Sequence, residues 1–237
     1  MVHRVVWRVA SADALDFWEQ RLTAAGYDAG RADAALIFSD FEGLNHELKV
    51  TATTDEPLIA NHPEIPAELA LQGFDAVRAY TIDPAYSRPL LEQTLNFDRL
   101  EDGSYEVRGA HRGGYYIYDA APAHRPRQGA GTVHHVAWGS PMNEHEAWQK
   151  RVAASGLAHP TPVIDRHYFR SVYFREPSGV LFEIATIGPG FTVDEPLEHL
   201  GEKLSLTPQF EHLRDQIEPT LTPLHNPRES WASPTTR

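Results

Sequence analysis

Cysteine is absent from this 237-residue chain, which excludes disulfides, thiolate zinc sites and cysteine nucleophiles. Basic residues are scarce: 21 Lys+Arg face 33 Asp+Glu, for a formal charge of −12. Such a surface repels phosphate backbones and anionic bilayers, so neither nucleic acid nor a membrane is expected as a partner. The one basic cluster, His124-Arg125-Pro126-Arg127, reads as a solvated linker. Long apolar runs are also missing, and no segment approaches the roughly 20 residues that span a bilayer. Residues 1–8 read as a strand with embedded charges, without the apolar stretch of a signal peptide. The expectation is a cytoplasmic protein. What is present, 41% hydrophobic and 10% aromatic residues, is the composition of a folded globular chain.

That composition is organised as a repeat. Val2-His3-Arg4-Val5-Val6-Trp7 parallels Val133-His134-His135-Val136-Ala137-Trp138. Each leads into helical apolar spacing, Leu15, Trp18 and Leu22 in one copy and Trp148 and Val152 in the other, with Gly26 and Gly156 placed for left-handed C-terminal caps. Each copy then runs strand, turn, strand, and a carboxylate (Glu47 or Glu183) falls four residues after the turn glycine (Gly43 or Gly179). The unit is β-α-β-β-β. A more degenerate copy lies between, with a first strand over 74–80, a helix over 87–95 and a late strand at Tyr115-Tyr116-Ile117-Tyr118, but no acid at the place of Glu183. The fold class expected is α+β, with units at 1–60, 70–120 and 132–187 joined through a linker at 121–131. Residues 188–237 form an extension in which Phe210, Leu213 and Ile217 keep helical spacing after Pro208, before a fraying tail.

A unit of roughly fifty residues buries too little apolar surface to stand alone. Units of this kind close in pairs, so three leave one unpaired. The first two are expected to pack together and the third to keep its concave face open, or covered by another molecule. A further unit upstream, or a second chain, would complete it.

His135 and Glu183 each sit inside an apolar, β-branched or aromatic run, and so on a strand pointing into the protein. A buried carboxylate without a partner costs several kcal/mol or more, which makes a cation its natural companion. Two superficial motifs fail. His145-Glu146 lacks the second histidine of HExxH, because Gln149 stands there. Gly129-Ala130-Gly131 precedes a strand and opens no dinucleotide-binding helix.

Val133-His134-His135-Val136-Ala137, Asp165-Arg166-His167-Tyr168-Phe169, Val172-Tyr173-Phe174-Arg175-Glu176-Pro177, Leu181-Phe182-Glu183-Ile184-Ala185-Thr186 and Gly188-Pro189-Gly190-Phe191 carry a resemblance. So do Leu200-Gly201-Glu202-Lys203-Leu204 and Pro208. Together these segments resemble the vicinal-oxygen-chelate superfamily of glyoxalases and extradiol dioxygenases, and within it the hydroquinone-type ring-cleaving dioxygenases. The resemblance is specific from residue 132 to about 217 and loose before it.

It implies four units and an Fe(II) ion, or in some members Mn(II), held by two histidines and a carboxylate. The metal ligands in this chain would be His135 and Glu183. The second histidine would come from a unit with no counterpart here, and Arg4 stands where the first copy would place one. His134, Arg166 and Tyr173 match catalytic or substrate-facing positions. A small aromatic substrate and dioxygen are the partners implied, with a homo-oligomer or an additional unit to complete the site. A facial triad leaves positions open for both reactants. Two alternatives share the scaffold: a glyoxalase-type lyase or isomerase, and a degenerate binding protein that never assembles the site.

Overall fold

The computed structural model describes residues 1–124, 127–226, 229 and 231. Arg125, Pro126 and nine residues of the tail expected to fray (227, 228, 230 and 232–237) lie outside them. The architecture is α+β, with three successive β-α-β-β-β or β-turn-β-β-β units forming curved mixed sheets. The first comprises β1 (Val2–Val9), α1 (Ala12–Ala24), β2 (Ala29–Ala32), β3 (Ala35–Ser39) and β4 (Asn45–Val50). The second holds β5 (Phe74–Thr81), β6 (Asp98–Arg99), β7 (Tyr105–Arg108) and β8 (Gly113–Ala120). The third holds β9 (Val136–Ser140), α2 (His145–Ser155), β10 (Ile164–Asp165), β11 (Arg170–Arg175) and β12 (Leu181–Thr186).

Local chemistry sets the helix ends. Ser11 caps α1 by accepting the Ala14 N–H at 3.2 Å. Gly26 follows α1 at φ 89° and Gly156 ends α2 at φ 67°, left-handed positions that favour glycine.

The helix expected over residues 87–95 forms over 88–94, opening as an α-turn at Arg88 and Pro89 and continuing as the π-helical turn Leu90–Thr94, behind a 3-10 turn, Pro84–Tyr86. Pro89 sits in its first turn, where a missing N–H costs no intrahelical bond, and Leu91 N–H donates to the Ser87 carbonyl at 3.0 Å. Asn96, at φ 57°, then reverses the chain into β6. The amphipathic helix expected after Pro208 is instead a 3-10 turn, Pro208–Leu213, and a single α-turn, Arg214–Ile217, with Phe210 49% exposed. Glu218, ahead of Pro219, stays in the α region, and the chain passes into one more 3-10 turn, Glu218–Thr220.

The first strands of units one and two pair antiparallel, Val5 opposite Val77, which fuses the two units into one eight-stranded sheet ordered β2-β3-β4-β1-β5-β8-β7-β6. The third unit forms its own sheet, β10-β11-β12-β9, with β9 at the edge. The main core lies between units two and three. There Leu90, Leu91, Tyr105 and Tyr116 meet Val152, Phe174, Phe182 and Ile184, and the Tyr116 ring stands edge-on to Phe182 at 5.2 Å. Because Phe182 and Ile184 face that core, the strand alternation turns Glu183 to the opposite, concave face. A smaller core, Val9, Ala14, Leu15, Leu36 and Leu48, seats α1 on its own sheet.

A buried ion cluster ties the segment between units one and two to both. Arg8 donates to Asp75 at 3.0 Å and to Asp55 at 2.7 Å, and Arg108 adds a second bond to Asp55 at 2.7 Å. The Arg8 guanidinium, with Arg108, holds the Asp55 carboxyl well below the usual carboxylate range. A depressed folded-state pKa stabilises the fold fully above the ordinary value and loses that contribution as pH falls toward the folded one. Asp55→Asn should therefore lower the urea midpoint at pH 7, and the gap to the parent protein should narrow below about pH 4. A gap that widens on acidification would contradict this cluster.

Candidate metal centre

β12 pairs with β9 in parallel, setting Glu183 opposite Ala137, two residues beyond His135. β11 flanks it on the other side, with Tyr173 directly opposite Glu183. First and last strands of the unit are thus neighbours, and their side chains converge on one concave face. His135 Nε2 lies 2.7 Å from Glu183 Oε2. Two cis ligands of a cation at about 2.1 Å stand about 3.0 Å apart, so the pair has nearly the spacing of one coordination edge. Glu183 is 2% exposed, and among the described residues its Oε1 is buried with no hydrogen-bond partner. Buried polar atoms are rarely left so, and an orphaned carboxylate oxygen beside an imidazole suits a cation.

The surrounding side chains add proton-handling groups. His134 Nδ1 lies 2.9 Å from His135 Nδ1, so one of the two nitrogens carries the proton they share. The Tyr173 ring stands perpendicular to His135 at 5.6 Å, and the Arg166 guanidinium lies 5.7 Å from the Tyr173 centroid. His134, His135, Arg166, Tyr173 and Glu183 therefore form one contiguous group. Among the described residues no cluster of three His, Asp or Glu side chains could hold a metal.

Arg166 is held by a turn that sequence reasoning did not resolve. His167 sits at φ 69°, its N–H donates to Asp165 at 2.8 Å, and Tyr168 O–H donates to Asp194 at 2.6 Å and meets Ser205 at 2.8 Å. The C-terminal extension thus pins the turn between β10 and β11. A cavity of about 430 Å³ opens where Arg166 and His167 face Thr207–Phe210. The only sequence signal there was Pro208, which marked a helix start instead of a wall. His145, the false metalloprotease start, is buried against Ser140 at 3.0 Å, and burial holds its imidazole below the ordinary value.

The first unit repeats the geometry with different chemistry. Glu47 lies opposite Val6, two residues beyond Arg4, and Arg4 Nη1 donates to Glu47 at 3.0 Å. Arg4 and Glu47 thus occupy the places of His135 and Glu183, with a fixed guanidinium as the counter-ion.

The Glyoxalase/Bleomycin resistance protein/Dioxygenase superfamily profile matches residues 73–184, from the start of unit two to the end of unit three. The chain is 36% identical over 223 residues to the "Putative ring-cleaving dioxygenase MhqO" of Bacillus subtilis, covering 91% of this chain and 71% of that protein. It is 31% identical over 163 residues to the chlorohydroquinone/hydroquinone 1,2-dioxygenase of Sphingobium indicum, covering 65% of this chain and 50% of the relative. A crystal structure of a "putative dioxygenase" from Bacillus subtilis superposes with a TM-score of 0.83 at 33% identity, covering 95% of this chain and 74% of that one. Among the described residues no helix is long and apolar enough to cross a membrane.

Proposed function

Because this chain belongs to the glyoxalase/bleomycin resistance protein/dioxygenase superfamily, we propose that it is a metal-dependent ring-cleaving dioxygenase acting on hydroquinone-type aromatics. The observation that carries this reading is the His135–Glu183 pair, with its buried, unpartnered Glu183 Oε1. Those two side chains would hold Fe(II), or Mn(II), on the concave face of the third unit. The ion, when bound, supplies redox coupling between dioxygen and an electron-rich ring, and lowers the pKa of a ring hydroxyl.

The remaining roles belong to the chain's own groups. For His135 Nε2 to offer a lone pair to a cation, its proton must sit on Nδ1, and His134 Nδ1 is the acceptor in place to receive that bond. His134 thereby fixes the ligand's tautomer. Tyr173, between His135 and Arg166, can pass a proton at its hydroxyl. Arg166 holds phenolate charge by charge-assisted hydrogen bonds.

A facial triad needs a third side chain. β1 and β5, the first strands of units one and two, pair with each other, whereas among the described residues no strand pairs with the outer edge of β9. The third ligand is assigned to a strand that pairs with β9 as β5 pairs with β1, whichever polypeptide carries it.

The test is anaerobic Fe(II) titration followed by dioxygen uptake with hydroquinone. The chain alone should bind iron weakly and turn over poorly. Fusing a β-α-β-β-β unit that carries a strand histidine should raise both by about 10–100-fold or more. Strong dioxygen uptake by the chain alone would refute the assignment of the third ligand. No uptake from the fused protein, with isomerase turnover on Zn(II) or Ni(II) instead, would replace the dioxygenase reading.

A further inference from the structure

A second cavity, of about 700 Å³, lies where the end of β5 meets the β11–β12 hairpin. Tyr80 and Thr81 line it from unit two, Arg175, Ser178 and Leu181 from unit three, and His134 from the residues just ahead of β9. The chain carries 33 acidic residues, yet none of the described residues lining this cavity is acidic. Arg175 is their only side chain with a permanent charge, and it is exposed. Its Nη1 donates to the Gly179 carbonyl at 2.9 Å, which braces the guanidinium against the turn, and among the described residues no carboxylate pairs with it. Glu176, next to it in the chain, is 1% exposed and turned inward to Ser87, Tyr118 and the Ser178 and Val180 amides. The strand register sets this cavity beside the candidate metal centre. Arg175 lies opposite Leu181 as Tyr173 lies opposite Glu183, and strand alternation puts all four on one face. The two rows are two residues apart, about 6.6 Å along the strands. His134, on the cavity wall, is also the hydrogen-bond neighbour of His135.

We propose that this cavity is an anion-accepting subsite of that centre, and that the substrate is a hydroquinone carrying a carboxylate on a short side arm, with Arg175 as its partner. The inference rests on the ring-cleaving reading and adds the charge of the substrate. A ring held over the Tyr173–Glu183 row has to cross only one row of the sheet, so its arm passes over Leu181 to reach Arg175. The guanidinium keeps N–H groups beyond the one given to Gly179, and they match the geometry of a carboxylate. No acid on the cavity wall competes for them, so the arm is selected by its charge. Arg175 is a specificity-determining residue; it touches no reacting atom.

The experiment reads binding and needs no turnover. Anaerobic calorimetry compares 2,5-dihydroxyphenylacetate, its neutral amide and hydroquinone on the 237-residue chain, first metal-free and then with excess Mn(II). The acid should bind about tenfold tighter than the amide in both states, because Arg175 is not a metal ligand. That advantage should shrink as salt is raised. Arg175→Gln should bring acid and amide within about twofold of each other, while hydroquinone, which has no arm, stays within about twofold of its affinity for the parent protein. Arg175→Lys keeps the charge without the planar fork and should retain part of the advantage. Equal binding of acid and amide by the parent protein would overturn the inference. So would an acid advantage that survives Arg175→Gln, a variant that weakens all three ligands alike, or no binding of the acid in either state. If Mn(II) tightens none of the three ligands while the acid keeps an advantage that Arg175→Gln removes, the subsite stands and the metal-centre reading fails.

Discussion

In the chain fused to a unit that carries the strand histidine, replacing Glu183 by alanine should abolish stable Fe(II) binding and reduce dioxygen uptake with hydroquinone by at least about 100-fold, beyond the 10–100-fold typical for outer-shell partners. The metal-free variant should nevertheless melt no lower than the parent. Glu183 is 2% exposed and, among the described residues, its Oε1 makes no hydrogen bond, so the carboxylate carries a desolvation cost that its one imidazole contact offsets only in part. A residue kept at a cost to the apo fold is kept for what it binds. Differential scanning fluorimetry with and without Mn(II) separates the two effects, because only the parent should gain stability on adding metal. A variant that melts far below the parent and still gains stability from Mn(II) would make Glu183 a structural residue and end the metal-centre proposal.

The second large effect is expected at Glu176, which is 1% exposed and sits at the turn between β11 and β12. Its carboxylate accepts hydrogen bonds from Ser87 O–H, from Tyr118 O–H at 2.9 Å, from Ser178 N–H at 2.8 Å and from Val180 N–H at 2.9 Å. Ser87 and Tyr118 belong to unit two, so this one side chain clamps the hairpin that carries Glu183 onto its neighbour. Glu176→Ala would remove the acceptor shared by these four donors; Ser87 and Ser178 still bond each other, and each donor left unmatched costs about 1–3 kcal/mol. Glu176→Gln, which keeps the shape and part of the bonding, should lose markedly less. Urea unfolding followed by tryptophan fluorescence measures both, and near-neutral alanine and glutamine variants would show that the clamp contributes nothing.

The contrast between these residues explains what the sequence could reveal. Glu183 was legible because its neighbours Phe182 and Ile184 alternate with the strand period and the repeat placed it on the last strand. His135, expected on the first strand, instead stands one residue before β9 and is partly exposed, and reaches Glu183 from there. Arg166 and Tyr173 entered through motif resemblance, and their proximity to His135 needed the β11–β12 register. Glu176 was quoted within a motif, but its bonds to Ser87 and Tyr118 cross 89 and 58 residues of chain, and no local pattern encodes such a pairing. The same holds for Arg8 and Asp55. Where a local signal misled, a proline was involved: helical spacing follows Pro208, and the chain resolves there into tight turns that propensity cannot tell from α-helix. The wall built by Thr207–Phe210 was hidden for that reason.

Arg4 and His135 answer the same electrostatic problem in two ways. In the first unit the counter-charge to Glu47 is covalently part of the chain and arrives with translation. In the third, on the proposal of a metal centre, a cation for Glu183 would diffuse in and could be withdrawn. A chelator should accordingly act on one end of the molecule alone: amide protons of β11 and β12 exchange faster once the ion is removed, while those of β1 and β4 keep their protection. With that outcome, one fold would carry its own internal reference, a copy blind to metal supply beside a copy that reports it.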